Sequence, residues 1–395
     1  MSPCRRAVFH AGSRWKDRSK MDLELSDEQT ELRDNFRSVL ESTCPSAVVR
    51  SIYEDGDDGS ALLMQMVELA WPALGVPEKA DGLGYSFVEV GLLAEELGRA
   101  AAPVTMLATT SQFSPALIET GANDVLTKVA EGKVSGSLAL AERGRWLLDA
   151  LRTTAVRSDA GWVLDGSKQA VLAGSSVDAF AVVALDPSSN EPGIFLVERA
   201  AARVQPLATI DPALLLADVT FESSPARALA EPAPAVRGQV ERIVDQATVA
   251  MALHMVGACR KIFEMTLEYA KIRKQYDRVI GSFQALKHRF ADMYLSVERA
   301  TALCYFAAVS IAEDDDSRNE VAHLAKAAVG DCQRLLAQDG LQLHGGLGFT
   351  WEQDLHFLLK RAKTGELLCG SSAYHRAALV ALLGLDKAQG LEVQK

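Results

Sequence analysis

An α+β multidomain fold is expected for this chain: an N-terminal helical domain, a central antiparallel β domain and a C-terminal four-helix bundle. Three observations lead there. Helical periodicity dominates up to about residue 134. Short β-type runs broken by Gly, Asp, Pro and Ser then occupy 135–236, and long, largely apolar helical stretches fill 237–395. At 395 residues the chain exceeds a single domain of ~100–200 residues. Its 48% hydrophobic and 24% charged content is that of an ordinary globular protein with ample chain for a core.

Residues 1–20 stand apart as a basic, disordered leader. They carry six Lys/Arg and one acid, Asp17, and lack the apolar segment of a secretory signal. A transit peptide has this general look, but Met21 precedes a well-formed helix start, so a tail or an over-extended start competes with it. From Leu25 to about Cys44 the sequence reads as a helix: Ser26 and Gln29 form a capping box, and Leu32, Phe36, Val39 and Leu40 recur at helical spacing. After the loop EDGDDGS, a helix runs through Leu62, Met66 and Leu69. A Gly/Pro turn region follows, then the amphipathic EVGLLAEELGRAAAP, stopped near Gly98 and Pro103.

The β texture begins near Ser135 with GSLALAE, GWVLDGSKQAVLAG, DAFAVVAL, GIFLVE and LADVTFE. No helices alternate with these strands and no GxGxxG occurs, which disfavours a Rossmann unit. SSPARALAEPAPAV, around 223–236, reads as an exit linker. Beyond it lie helices over about 240–272, through FQALKHRFADMYLSVERATALCYFAAVSIA, and over VAHLAKAAVGDCQRLLAQDGLQLHGG, with a fourth in the last thirty residues. Helices this long and apolar bury more than one face, as in a bundle inside an oligomer.

The net charge of -11, with pI about 5.3, disfavours nucleic acid, while leaving room for a local basic pocket. The six cysteines are scattered without a CxxC pair and read as reduced, buried or incidental thiols. The seven histidines include no HExxH, so no metal is expected. No apolar run approaches the ~20 residues of a bilayer span, so no membrane association is expected. An acidic, Ala-rich chain of this kind is expected in a bacterial cytoplasm, with the mitochondrial matrix as the lesser alternative.

Three stretches in order, 73–99 (ALGVPEKADGLGYSFVEVGLLAEELGR), 273–293 (RKQYDRVIGSFQALKHRFADM) and 341–363 (LQLHGGLGFTWEQDLHFLLKRAK), make the chain from Met21 onward resemble the acyl-CoA dehydrogenase family. The resemblance implies FAD, an acyl-CoA substrate, α,β-desaturation, a homo- or hetero-tetramer and electron-transfer flavoprotein as acceptor. It implies cofactor contacts from Arg273, Tyr276, Gln284, Gln342, His344, Gly345, Gly346 and Ser371, most of them serving the flavin of a neighbouring subunit. The chemistry of these residues agrees. Arg273 can make a bidentate contact to diphosphate, Gln284 and Gln342 offer amides, and a Gly pair admits close backbone approach. The competing reading of Arg273 is an exposed helix-end cation, and that of Gly345–Gly346 is a helix C-cap turn; cofactor contact is the favoured reading, mostly on the family match.

The expected catalytic carboxylate is missing. In most of the family a Glu precedes a Gly on the loop into the last helix, and here that position is Cys369, followed by Gly370 and Ser371. Other members carry it on the first bundle helix, where Ala247 stands; Asp245 and Glu241 fall on other faces at 100° per residue. Cys369 would need activation to act as a base, and only His375 is near in sequence, so a small buried residue is expected. Glu366 reads as a solvated acid. The middle domain departs too: ALAERGRWLLDALRTTAV keeps only Glu142 and Gly144 of the family's flavin-covering stretch, and QAVLAGSS lacks its aromatic and Thr. The asymmetry points to a hetero-oligomer in which a partner chain carries the Glu, an arrangement the resemblance associates with bulky CoA thioesters, steroid side chains included. The alternatives are a self-sufficient homotetramer with an unconventional base and a non-catalytic, FAD-supporting structural subunit.

Overall fold

A computed structural model of the chain describes residues 24–159 and 161–385; the basic leader, Cys4 and the Met21 start lie outside these residues. Helix α1 (Asp27–Thr43) opens with the expected capping box: Gln29 N donates to Ser26 Oγ (3.1 Å), and Ser26 N donates to Gln29 Oε1 (3.0 Å). A short helix that the periodicity does not announce, α2 (Ser46–Glu54), starts behind Pro45, and α3 (Ser60–Glu68) follows. Two 3₁₀ turns lead into α4 (Phe87–Arg99).

The expectation of an amphipathic helix at α4 is corrected. Every residue from Phe87 to Gly98 is buried, acids included. Glu89 accepts from Gln29 and Ser86, Glu95 accepts from the Tyr305 hydroxyl (2.5 Å), and Glu96 pairs with Arg37. Burial is possible because α4 crosses the longest helix, α8 (Val236–Ile272), at backbone contact. A Cβ at Gly98 would sit 1.8 Å from His254 O, and one at Gly257 would sit 1.9 Å from Glu95 O. The helical part ends with α5 (Thr105–Ala108), a π-helical turn (Thr109–Phe113), α6 (Ser114–Thr120) and α7 (Asn123–Ala130).

Seven strands form one sheet: β1 (Gly136–Ala139), β2 (Thr154–Ser158), β3 (Gly161–Val171), β4 (Ala179–Leu185), β5 (Pro192–Glu198), β6 (Arg203–Pro206) and β7 (Ala217–Ala230). The order is β1-β4-β2-β3-β7-β5, with β6 on β7 and β5 returning to β4, so the central strands close on themselves. Most pairings are antiparallel, as expected. β1 nevertheless runs parallel to β4, and β2 touches β4 in parallel at Thr154 and Leu185. The expected linker at 223–236 is corrected as well. SSPARALA forms the second half of β7, where Ser223 turns into the left-handed region (φ 48) and the strand continues past Pro225 to pair with β5. The β3–β7 ladder shifts register just there, which is where a strand tolerates Pro.

After α8 come a two-residue hairpin, β8 (Lys274–Gln275) and β9 (Arg278–Val279), and then α9 (Gln284–Ala312) and α10 (Arg318–His344). By length and composition α9 would suit a membrane, but here it packs against α8 and α10. The fourth helix expected in the last thirty residues is α12 (Ser372–Leu382), and a helix not expected there, α11 (Leu355–Leu367), precedes it; the two are split where Cys369 (φ 56) and Gly370 (φ 97) leave helical geometry. The three regions are locked together by the fully buried Arg361 of α11. It donates to Asp211 Oδ2 (2.5 Å) and to the carbonyls of Ala101 and Ala102, while Tyr53 of α2 donates to Asp211 Oδ1 (2.9 Å).

Candidate functional site

Most of the residues expected to hold a phosphate-bearing cofactor gather at one end of the bundle. Tyr269 of α8 stacks on His344 of α10 with ring centroids 4.6 Å apart, and Arg289 of α9 pairs with Asp339 of α10 at 2.7 Å. These contacts bring together the C-terminal end of α8, the N-terminal end of α9 and the C-terminal end of α10. Arg273 caps α8 and is exposed; Tyr276, in the hairpin, is 87% exposed and stands edge-on to Phe283. Gln284 begins α9, its Nε2 3.3 Å from His288 Nε2, and Gln342 is exposed two residues before His344. His344 itself is buried; its Nδ1 donates to Gly340 O (2.9 Å), and burial holds its pKa below the usual histidine value. No other atom approaches within 4 Å of a Cβ placed on Gly345 or Gly346, and Gly345 has φ 62. A cation, two amides and an open glycine backbone fit an anionic diphosphate approaching from outside the chain.

Ser371 is not with them. It caps α12, accepting from Tyr374 N (3.3 Å), two residues beyond Cys369. His323, at this end of α10, and His344 are 21 residues apart on that helix, ~32 Å at ~1.5 Å per residue.

At the Ser371 end, Cys369 is buried and its Sγ lies 3.8 Å from Ala247 O. Burial pushes the thiol up to about 12, with Lys326 opposing in part. His375 does reach Cys369, but at the backbone: Nε2 donates to the carbonyl oxygen (2.9 Å), leaving the thiol without an activating partner there. Beneath the turn, the fully buried Lys326 donates to the carbonyls of Gly365 (3.0 Å), Glu366 (3.1 Å) and Gly370 (2.9 Å). Burial draws its pKa down to about 8. Glu366 is not the solvated acid expected. It accepts from Ser372 N (3.0 Å) and holds the start of α12, because the helix break leaves that amide without a helical partner.

A cavity of about 490 Å³ opens beside this turn, between α8, α10 and the segment 146–149. Sequence reasoning sets Asp245 aside as lying on another face from Ala247. In the structure the cavity wraps from α8 to α10, so Asp245 and Cys369 both border it. Asp245 is 3% exposed; its Oδ1 accepts from Asn319 (2.9 Å), and its Oδ2 is 3.6 Å from Arg318 Nε. Burial pushes its carboxyl up to about 6. His323, one turn beyond Asn319, places Nδ1 2.7 Å from His375 Nδ1. The Glu241–Asp245 and Asn319–His323 spacings carry this cluster in the sequence, but polar pairs one turn apart are usually a solvated face.

On the β side, Glu142 keeps a structural role. It pairs with the buried Lys168 (2.6 Å) and accepts from the amides of Arg152 and Thr153. Gly144 N donates to Gln169 Oε1 (3.0 Å). Trp146, Leu147 and Leu148 border the cavity, and Val171 and Leu172 are buried within QAVLAGSS, the stretch that lacks the aromatic and the Thr the resemblance implies. The residues at this end do not fit a flavin ring as the diphosphate-side residues fit a phosphate. Among the described residues, no three His, Cys, Asp or Glu side chains gather as a metal site.

Comparison with known proteins bears on both ends of the bundle. Residues 26–137 match the model for the acyl-CoA dehydrogenase N-terminal domain, and residues 239–383 match that for the C-terminal domain. The chain is 30% identical over 340 residues to acyl-CoA dehydrogenase IpdE2 of Mycobacterium tuberculosis, covering 85% of this chain and 91% of that one. Among solved structures, butyryl-CoA dehydrogenase of Megasphaera elsdenii superposes with a TM-score of 0.85 at 22% identity, over 92% of this chain and 100% of that one. The Tcur3481-Tcur3483 steroid ACAD gives 0.81 at 26% identity, over 91% and 99%.

Proposed function

The chain belongs to the acyl-CoA dehydrogenase family of FAD-dependent flavoenzymes, and from that premise we propose that it works as one subunit of a hetero-oligomer that desaturates an acyl-CoA thioester at Cα–Cβ. The observation that carries the reading is the contact between Cys369 and Ala247: both family positions for the base are filled, and neither residue is an acid. The partner supplies the catalytic Glu. FAD supplies the hydride acceptor for the β-hydrogen. Arg273, Gln284, Gln342 and the Gly345–Gly346 turn serve the cofactor held mainly by that partner, where Arg273 offsets diphosphate charge and the glycine turn lets backbone approach it. The exposure of these residues and their separation from the Cys369 turn support a cofactor shared between chains. The paired name of the Tcur3481-Tcur3483 relative is in keeping with two kinds of chain. The carbon acid α to a thioester is weak, so a well-placed base is needed, and a thiol pushed up to about 12 does not provide one.

The test is the FAD-to-chain ratio of this protein purified alone, starting from Met21, and after co-expression with a Glu-bearing family member. We expect a ratio near zero alone and bound FAD in the co-purified assembly. A ratio near one for the isolated chain overturns the hetero-oligomer and leaves the homotetramer. If Arg273→Ala weakens assembly while partner-bound FAD is untouched, the chain is a structural subunit.

A further inference from the structure

The cavity beside Cys369 is not simply a vacated pocket, because its hydrogen bonds fix the tautomers of two histidines. The Cys369 carbonyl can only accept, so His375 carries its proton on Nε2. A neutral imidazole has one N–H, which leaves His375 Nδ1 as a lone pair. The 2.7 Å contact therefore requires His323 to donate from its own Nδ1. His323 Nε2 is then a bare lone pair on a residue that borders the cavity. Burial holds both imidazoles below the usual histidine pKa, His375 at about 3, so both are neutral at pH 7. Asp245 borders the same space, but one carboxylate oxygen is taken by Asn319 and the other faces Arg318.

We propose that His323 Nε2 is a proton acceptor for the acyl group of a CoA thioester bound in this chain's own cavity, with His375 as the positioning residue that holds its tautomer. This rests on reading the chain as an acyl-CoA enzyme and gives it an acid–base site separate from the partner's Glu. In the step, the Cα–H bond breaks, its electron pair moves onto the thioester carbonyl, and the proton passes to Nε2. Return of a solvent-derived proton from the imidazolium to Cα regenerates the thioester. No oxidant is consumed, so the measurable result is exchange of the α-hydrogen with solvent.

The experiment incubates the full chain alone with short-, medium- and long-chain saturated acyl-CoA thioesters in D₂O and follows deuterium at Cα by mass spectrometry. Wild type is expected to exchange at least one of them, and His323→Gln is expected to exchange it about 100-fold more slowly or worse. No exchange by wild type, or exchange that survives His323→Gln, overturns the proposal. So does loss of exchange in Asp245→Asn with retention in His323→Gln, which would make the carboxylate the acceptor. ¹⁵N shifts of the wild-type imidazoles provide a readout that needs no variant to fold: His323 Nε2 must be unprotonated, and His375→Ala must disturb that signature. A protonated Nε2 in wild type sinks the idea. Because exchange is read without flavin turnover, its failure leaves the FAD-to-chain result standing, and the reverse holds too.

Discussion

Cys369 and Ala247, 122 residues apart in sequence, stand in contact, with the Cys369 Sγ 3.8 Å from the Ala247 carbonyl oxygen. The two positions at which the resemblance to the family places the base are therefore one place in space, approached from α8 on one side and from the break between α11 and α12 on the other. Ala247 has no basic side-chain atom and the Cys369 thiol stays protonated at neutral pH, which shifts attention to a partner's carboxylate and to the histidines on the cavity wall, whose neutral rings keep a lone pair.

The thiol at that point is a packing group. Burial holds it at about 12, so it stays protonated through the physiological range. Cys369→Ala is expected to leave kcat/KM of the assembled protein within about twofold, and to cost ~1 kcal/mol of stability from the lost sulfur contact. Steady-state kinetics and urea unfolding check both numbers, and a tenfold loss of turnover would make the thiol a participant.

Acid should destabilise the chain through its buried histidines. His254, packed beside Arg361, and His375 are both held at about 3, chiefly by burial, against ~6.5 when unfolded. With a depressed folded pKa, the stabilising contribution is fully present above ~6.5 and is lost as pH falls toward ~3, at up to ~1.4 kcal/mol per pH unit for each histidine. Asp245, raised to about 6, acts oppositely and offsets part of the loss near that pH. Unfolding free energies at pH 7, 6 and 5 should fall, and His375→Gln should flatten the slope by roughly one histidine's share. An unchanged slope would show that the pair titrates normally.

The Arg361–Asp211 pair is fully buried on both sides and ties α11 to the β region and, through Tyr53, to α2. Removing one partner leaves a buried charge without compensation, so Asp211→Ala or Arg361→Met should cost ~3–5 kcal/mol. The double variant should cost less than the sum of the two. A denaturant-based double-mutant cycle measures the coupling, and strict additivity would deny that the pair acts as a unit.

The sequence makes some of this legible and hides the rest for physical reasons. Local signals read well: the Ser26–Gln29 box, the onset of strands near Ser135 and the long apolar helices depend on neighbours in the chain. Long-range compensation does not. Glu89, Glu95 and Glu96 look like the wet face of α4 because their partners Gln29, Tyr305 and Arg37 lie far away in sequence. Pro225 looks like a linker residue because the bulge at Ser223 that admits it is a property of the sheet. At the site, the absence of an acid at positions 369 and 247, where the resemblance leads one to expect the base, is legible by position. The cluster of Asp245, Asn319, His323 and His375 is assembled from three helices and exists only once they pack.

The last prediction concerns the far end of the bundle. Arg273 is exposed and carries no hydrogen bond that the fold depends on beyond its backbone contacts to Tyr269 and Ile280. Arg273→Ala should thus leave the unfolding midpoint of the isolated chain nearly unchanged, within ~0.5 kcal/mol. If the guanidinium meets a diphosphate in the assembly, the same change removes a charge-assisted contact worth ~1.5–3 kcal/mol, a loss of roughly 10- to 150-fold in FAD affinity. Arg273→Lys should recover only part of it, since a point charge replaces a bidentate fork. Flavin fluorescence titration of the apo-assembly reads the affinity. Equal affinity in wild type and Arg273→Ala would remove Arg273 from the cofactor site and return it to the role of an exposed cation at a helix end.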